Sequence, residues 1–133
     1  PLVEGLHARG KIEKEQLDAY LTFERDWLVG NRMPACIAGY GERVNAKADV
    51  SEQTEIRKLN AARRVEQALA AIGGVRSRQR MAIEIVVSGG EDVDLEYVGK
   101  RCTAYTGRVP AITAGLILLQ EALHRLHVHY GGT

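Results

Sequence analysis

Apolar side chains recur along this chain at three- and four-residue steps, in runs separated by breaks rich in glycine or marked by proline. The clearest run lies in the last third. Leu95, Val98, Cys102 and Tyr105 keep helical spacing until Thr106-Gly107-Arg108 interrupts them, and the period resumes as Ile112, Leu116, Leu119, Leu123, Leu126 and Tyr130. Those last six side chains fall on one stripe of a helix, which has to be buried. Asp94 to Tyr130 is therefore predicted to be a short helix, a glycine-containing turn and a long helix. Two helices joined by so short a turn cross steeply, the geometry that lets the second enter a DNA major groove while the first supports it. The segment is a candidate helix-turn-helix, and periodicity alone leaves a merely packed helical hairpin open beside it.

Upstream, Lys11 to Val29 places Leu17, Tyr20, Leu21, Phe23, Trp27 and Leu28 at mainly helical spacing, and Gly30-Asn31 with Pro34 beyond stops the run. Arg32 to Val50, with Pro34, Gly39, Gly41, Asn45 and Asp49, has no sustained period and is expected to be a surface connection. Ser51 is the expected N-cap of the next helix, with Glu52 and Glu55 at the positive end of its dipole. Ile56, Leu59, Ala62, Val65, Leu69 and Ile72 form its stripe, and Gly73-Gly74 ends it. Arg57, Lys58, Arg63 and Arg64 mix with acids on its other face, which reads as solvated. Ser77 can cap a further helix that continues into Met81-Ala82-Ile83-Glu84-Ile85-Val86-Val87. That apolar run would suit a buried strand equally well, but no partner strand is legible elsewhere, so a helix is expected. Asp94 caps the first helix of the candidate motif, and Pro110 suits the first turn of the second. The expectation is an all-α fold of about five helices. It comprises an N-terminal helix and connection over residues 1–50 and a helical part over 51–133 that holds the helix-turn-helix at 94–130, together one globular unit.

Composition narrows the classes. A chain of 133 residues with 45% hydrophobic side chains can fill one core. With 26% charged residues and a net charge of +1 there is no global positive field, so any nucleic-acid surface must be local. Cys36 and Cys102 lie in unrelated segments, as expected of reduced thiols in a cytoplasmic protein, and the uncharged runs are far short of the roughly 20 residues that span a bilayer.

Little else carries chemistry. His124 and His127 share a helix face, but two imidazoles with no evident cysteine or acid cluster make a poor metal site, and a solvated or capping role is expected. The glycines of Ile37-Ala38-Gly39-Tyr40-Gly41 lack the Lys-Ser/Thr pair of a phosphate loop, and no nucleophile and base stand out, so no enzyme, metal or cofactor is expected. Arg76, Arg78 and Arg80 alternate at the start of a helix, where they either grip phosphates with the helix N-terminus or form a basic solvent-facing turn. Lys100 and Arg101 lie late in the supporting helix and Arg108 in the turn before the long one, where a helix-turn-helix meets the duplex. Thr106, Arg108, Ala111, Thr113 and Ala114 would lie nearest the bases, and Arg108 alone among them can make a bidentate contact to guanine.

Three further segments carry a resemblance: Tyr20-Leu21-Thr22-Phe23-Glu24-Arg25-Asp26, Asn60-Ala61-Ala62-Arg63-Arg64-Val65 leading to Ala68-Leu69-Ala70-Ala71-Ile72-Gly73, and Leu118-Leu119-Gln120-Glu121-Ala122-Leu123-His124-Arg125-Leu126 with His129-Tyr130-Gly131. Across roughly Gln16 to Gly131 the chain resembles a bacterial family of unassigned domains found in phage-associated helix-turn-helix proteins and in transcriptional activators of gene transfer agents. Arg78-Gln79-Arg80 with the apolar helix after it, Asp94-Leu95-Glu96-Tyr97-Val98 and Ala122-Leu123-His124-Arg125-Leu126 are similar to region four of sigma factors, which reads the promoter minus-35 element. Two segments depart from the family pattern: Ala104 to Pro110 where a Gly-Trp-Pro-like stretch is usual, and Ser88 to Val93 where a cysteine-containing one is. The resemblance implies a sigma-like regulator of phage or phage-derived genes that contacts double-stranded DNA and RNA polymerase, as an activator or as an antiterminator. Binding through so few cations should be weak alone, so a second copy or a second regulator is expected.

Overall fold

The computed structural model describes residues 1–31 and 45–131, residues 45–51 by their backbone alone. Among the described residues the chain is helical throughout, with no strand: α1 Leu2–Ala8, α2 Lys14–Gly30, α3 Asn45–Ile72, α4 Arg78–Gly89, α5 Leu95–Cys102 and α6 Arg108–His129, with one 3-10 turn at Gly90–Asp92. The apolar run after Ser77 is thus a helix. Ser77 caps it by accepting a hydrogen bond from the Arg80 amide at 3.2 Å, an interaction generally worth about 1 kcal/mol. No described helix is long and apolar enough to cross a membrane.

Three expectations change. Six helices replace about five because Leu2–Ala8 is a helix of its own. Seven residues are too few to show a period, yet Val3 and Leu6 lie at 1% exposure in the core. The third helix begins at Asn45, so Ser51 lies inside it and is not its cap, and the expected connection is helical from Asn45 onward. The rest of that connection, residues 32–44, falls outside the described residues, as does Cys36. The face carrying Lys58 and Arg64 is not simply solvated. Lys58 is 9% exposed, with its ammonium 3.9 Å from Glu55, and Arg64 pairs at 3.0 Å with the buried carboxylate of Asp26 on α2.

One cluster of buried side chains draws on all six helices, with Phe23, Leu69, Ile72, Ile83, Val98, Leu119, Leu123 and Leu126 among its members. Each such side chain adds roughly 1.5–3 kcal/mol by leaving water. α2 and α3 run against each other from the Asp26–Arg64 pair to Gly30, whose α-carbon faces the backbone of Ala62. α3 continues beyond that point, and there Ile56 and Leu59 are 57% and 65% exposed. α6 is the central element. Its buried face is Ala111, Gly115, Leu118, Leu119, Ala122, Leu123 and Leu126, and α2, α3, α4 and α5 all pack on it. Cross-links reach it from outside its own turns: Gln120 donates to the carbonyl of Lys11 at 2.8 Å, and Arg125 to that of Ile72 at 2.6 Å. At its far end Tyr130 lies half-buried, and burial together with the nearby Asp26 carboxylate pushes its hydroxyl up to about 12.

Candidate functional site

α5 starts where Asp94 accepts a hydrogen bond from the Tyr97 amide at 2.8 Å, and Lys100 and Arg101 close it at the end where cations suit the helix dipole. Its inner face, Val98, Gly99 and Cys102, is buried. Glycine at 99 and 115 decides how near α6 can come. Built on either residue, a β-carbon would overlap backbone of the other helix, at the Ala111 carbonyl in one case and the Leu95 carbonyl in the other. The helices therefore touch backbone to backbone. The link between them, residues 103–107, is ordered by Thr103, whose amide and hydroxyl both donate to the Gly99 carbonyl while its oxygen accepts from the Tyr105 amide at 3.2 Å. α6 begins after Gly107 with no side chain capping it, and Pro110 sits in its first turn. Every residue from Ala104 to Pro110 is exposed.

Around that front turn the charges form two groups. Glu96, 30% exposed, uses one carboxylate oxygen to accept from the Lys100 ammonium at 2.7 Å and sets the other 3.4 Å from Nε of Arg108. Arg108 itself is 79% exposed. On the neighbouring part of α5 the Arg101 guanidinium lies 5.7 Å from the centroid of the Tyr97 ring, within range of a cation–π contact. Arg101 and Arg78 both favour the thiolate of Cys102, but burial outweighs them and holds that thiol above its ordinary range. Arg78, in the first turn of α4, is exposed.

Arg80 does not join them. Its guanidinium is 16% exposed and is shared between Glu84 at 2.9 Å and Glu66 of α3 at 3.9 Å, so it ties α4 to α3 instead of facing outward with its neighbours. Arg76 is exposed in the link between α3 and α4, and Thr106 and Thr113 are exposed on and beside the front turn. Ala111 is buried beneath α5 and Ala114 is half-buried, so the residues free to approach a base edge are Thr106, Arg108 and Thr113.

Comparison with protein-family models, with curated proteins and with solved structures finds no match. The chemistry has to be read from the side chains themselves. Two features of the front turn escape the sequence pattern. Glu96 is one acid among many until the fold sets it between two cations, although its spacing of four from Lys100 is a legible helical pair. Arg9, at the C-terminal end of α1, lines a cleft of about 190 Å³ with Leu2, Asp94, Glu96, Arg108 and Ile112, and nothing in its local sequence points there. A second open cleft, about 330 Å³, lies between α2 and the end of α6 and is lined by Glu15, Asp18, Thr22, His127 and Tyr130. Among the described residues no group of three or more His, Cys, Asp or Glu side chains is placed to hold a metal ion. What the front turn of α6 and the end of α5 offer is a few exposed cations, Arg108, Lys100 and Arg101, on a rigid mount, suited to phosphates and to acceptor-rich base edges.

Proposed function

We propose that this chain is a DNA-binding regulator of transcription in which residues 94–130 work as a helix-turn-helix of the sigma region four kind. The observation that carries the reading is the front turn of α6. Its residues are exposed from Ala104 to Pro110, while the helix behind them is locked onto α5 and the core. A recognition helix meets bases with its N-terminal portion, so this is the end that has to be free. Arg108, with Thr106 and Thr113, meets the base edges, and Lys100, Arg101, Arg78 and Arg76 meet flanking phosphates. Arg80 is left out, because its charge is spent within the protein. The resemblance described above supplies the biological setting: phage or gene-transfer-agent genes, with RNA polymerase as the second partner and activation as the outcome.

A second reading, an antiterminator or polymerase adaptor that reads no sequence, draws support from the net charge of +1 and from the exposed apolar side chains of Leu28, Ile56 and Leu59 on α2 and α3, outside the candidate motif. One experiment separates the two. Duplexes are selected from a random pool by the wild-type chain, and binding to the selected and a shuffled duplex is titrated at two salt concentrations. Arg108→Ala is expected to lose about 5- to 150-fold in preference for the selected duplex, the range for one bidentate base contact. It should keep most of its affinity for the shuffled one. An Arg108→Ala chain indistinguishable from wild type on both duplexes would favour the adaptor.

A further inference from the structure

Arg108 is ion-paired with Glu96 without a hydrogen bond between them. The atom facing Glu96 is Nε, at 3.4 Å, which leaves the two terminal amino groups of the guanidinium unengaged by that carboxylate on a side chain 79% exposed. Those two groups form the fork that fits the paired acceptors of a guanine edge. The same carboxylate takes up Lys100 with its other oxygen at 2.7 Å, so one acid sits against two cations and offsets one unit of their combined charge. A neighbouring negative charge reduces what a guanidinium gains from a phosphate, whereas the hydrogen bonds it can give a neutral base edge remain.

From this arrangement we infer that Glu96 is the positioning residue for base discrimination: it presents the outer fork of Arg108 to guanine and keeps Arg108 and Lys100 from binding phosphate indiscriminately. This rests on the DNA-binding reading and adds to it a carboxylate that lowers total affinity in exchange for selectivity. Two features of the surroundings fit. Glu96 is fixed on the first turn of α5, behind the Asp94 cap, so its carboxylate does not need to be ordered when DNA arrives. Arg9 and Arg108 line one cleft with it, so removing the acid would leave Asp94 as the one carboxylate among the described residues lining that cleft, beside the two arginines.

The test is a double-mutant cycle on the full chain with the selected and shuffled duplexes. Glu96→Gln, which keeps the shape of the side chain, is expected to bind the shuffled duplex several-fold more tightly than wild type. The dependence of its binding on salt should steepen by about one released counterion. Its preference for the selected duplex should fall about three- to ten-fold, a share of what one bidentate contact provides. In the Arg108→Ala background Glu96→Gln should change the preference no further, a result that a merely structural role would not give, and its thermal midpoint should stay within a few degrees of wild type. An unchanged preference in Glu96→Gln, or an equal loss with and without Arg108, overturns the inference and leaves DNA binding standing. A wild-type chain that selects no duplex from the pool removes the DNA-binding reading and this inference with it.

Discussion

Two helix pairs in this molecule are joined by different means. α5 and α6 meet through glycine and backbone at Gly99, Ala111, Gly115 and Leu95, with almost no side chain between them at that point. α2 and α3 meet mainly through side chains, with an ion pair from the buried Asp26 to Arg64, and their one glycine contact among the described residues, Gly30 on Ala62, is looser than those of α5 and α6. The first contact tolerates only one spacing, because peptide groups cannot be compressed or repacked. The second is built from torsions that can adjust. The stiff joint is the one that carries the exposed cationic turn, and the adjustable one lies at the other end of the core. A group that must meet a base edge within a few tenths of an ångström gains from being mounted on the former.

The sharpest way to break that contrast is to add one methyl group at each joint. Gly99→Ala and Gly115→Ala should each destabilise the fold by about 3 kcal/mol or more, the upper end for overpacking, because the obstructing atoms are backbone carbonyls. The melting midpoint should drop on the order of 10 °C. Gly30→Ala meets the Ala62 nitrogen at 3.2 Å, a contact relieved by a small shift, and replaces a poor helix former. It should stay within about 1 kcal/mol of wild type. Equal losses at Gly30 and Gly99, measured by thermal or urea unfolding, would mean that the two joints do not differ in stiffness.

The ion pair gives a second, smaller contrast. Asp26 is 6% exposed, whereas the Arg64 side chain is 51% exposed, so the partners depend on each other unequally. Losing Arg64 leaves a carboxylate in the interior without its cation, but losing the charge on Asp26 leaves a guanidinium that water can solvate. Asp26→Asn should cost about 1 kcal/mol, and Arg64→Met should lower the melting midpoint further than that. The reverse order would show that Asp26 is satisfied by groups other than Arg64.

How much of this was legible beforehand follows from what each pattern measures. Periodicity located α2, the body of α3, α5 and α6, while α4 was expected as a helix only because no partner strand was legible; the caps Ser77 and Asp94 marked two starts correctly, because they depend on neighbours in sequence. The exact buried face was less legible. On α6 the period picks Ile112 and Leu116, but the deepest contact with α5 is at Ala111 and Gly115, where small size and not hydrophobicity determines burial. The small residues Ala111, Gly115 and Ala122, spaced in multiples of a helical turn, were the available sign of a close approach. At the candidate site Arg108 and Lys100 could be nominated from their place beside the turn. The diversion of Arg80 to Glu66 on the preceding helix and the arrival of Arg9 from α1 depend on contacts between different helices, which no local pattern encodes.

The smallest expected effect tests where the side-chain joint ends. The apolar period of α3 includes Ile56 and Leu59, yet both are largely exposed because they lie beyond Gly30, the last residue of α2, which has no further side chains to set against them. Ile56→Ser and Leu59→Ser should therefore each change stability by no more than about 0.5 kcal/mol, as surface substitutions do. Leu69→Ala, on the same helix but 3% exposed, should cost about 2–5 kcal/mol. Urea titrations of the three variants compare the two halves of one helix directly. A loss at Leu59 approaching that at Leu69 would extend the packed joint past the end of α2 and remove the exposed apolar side chains on which the adaptor reading draws.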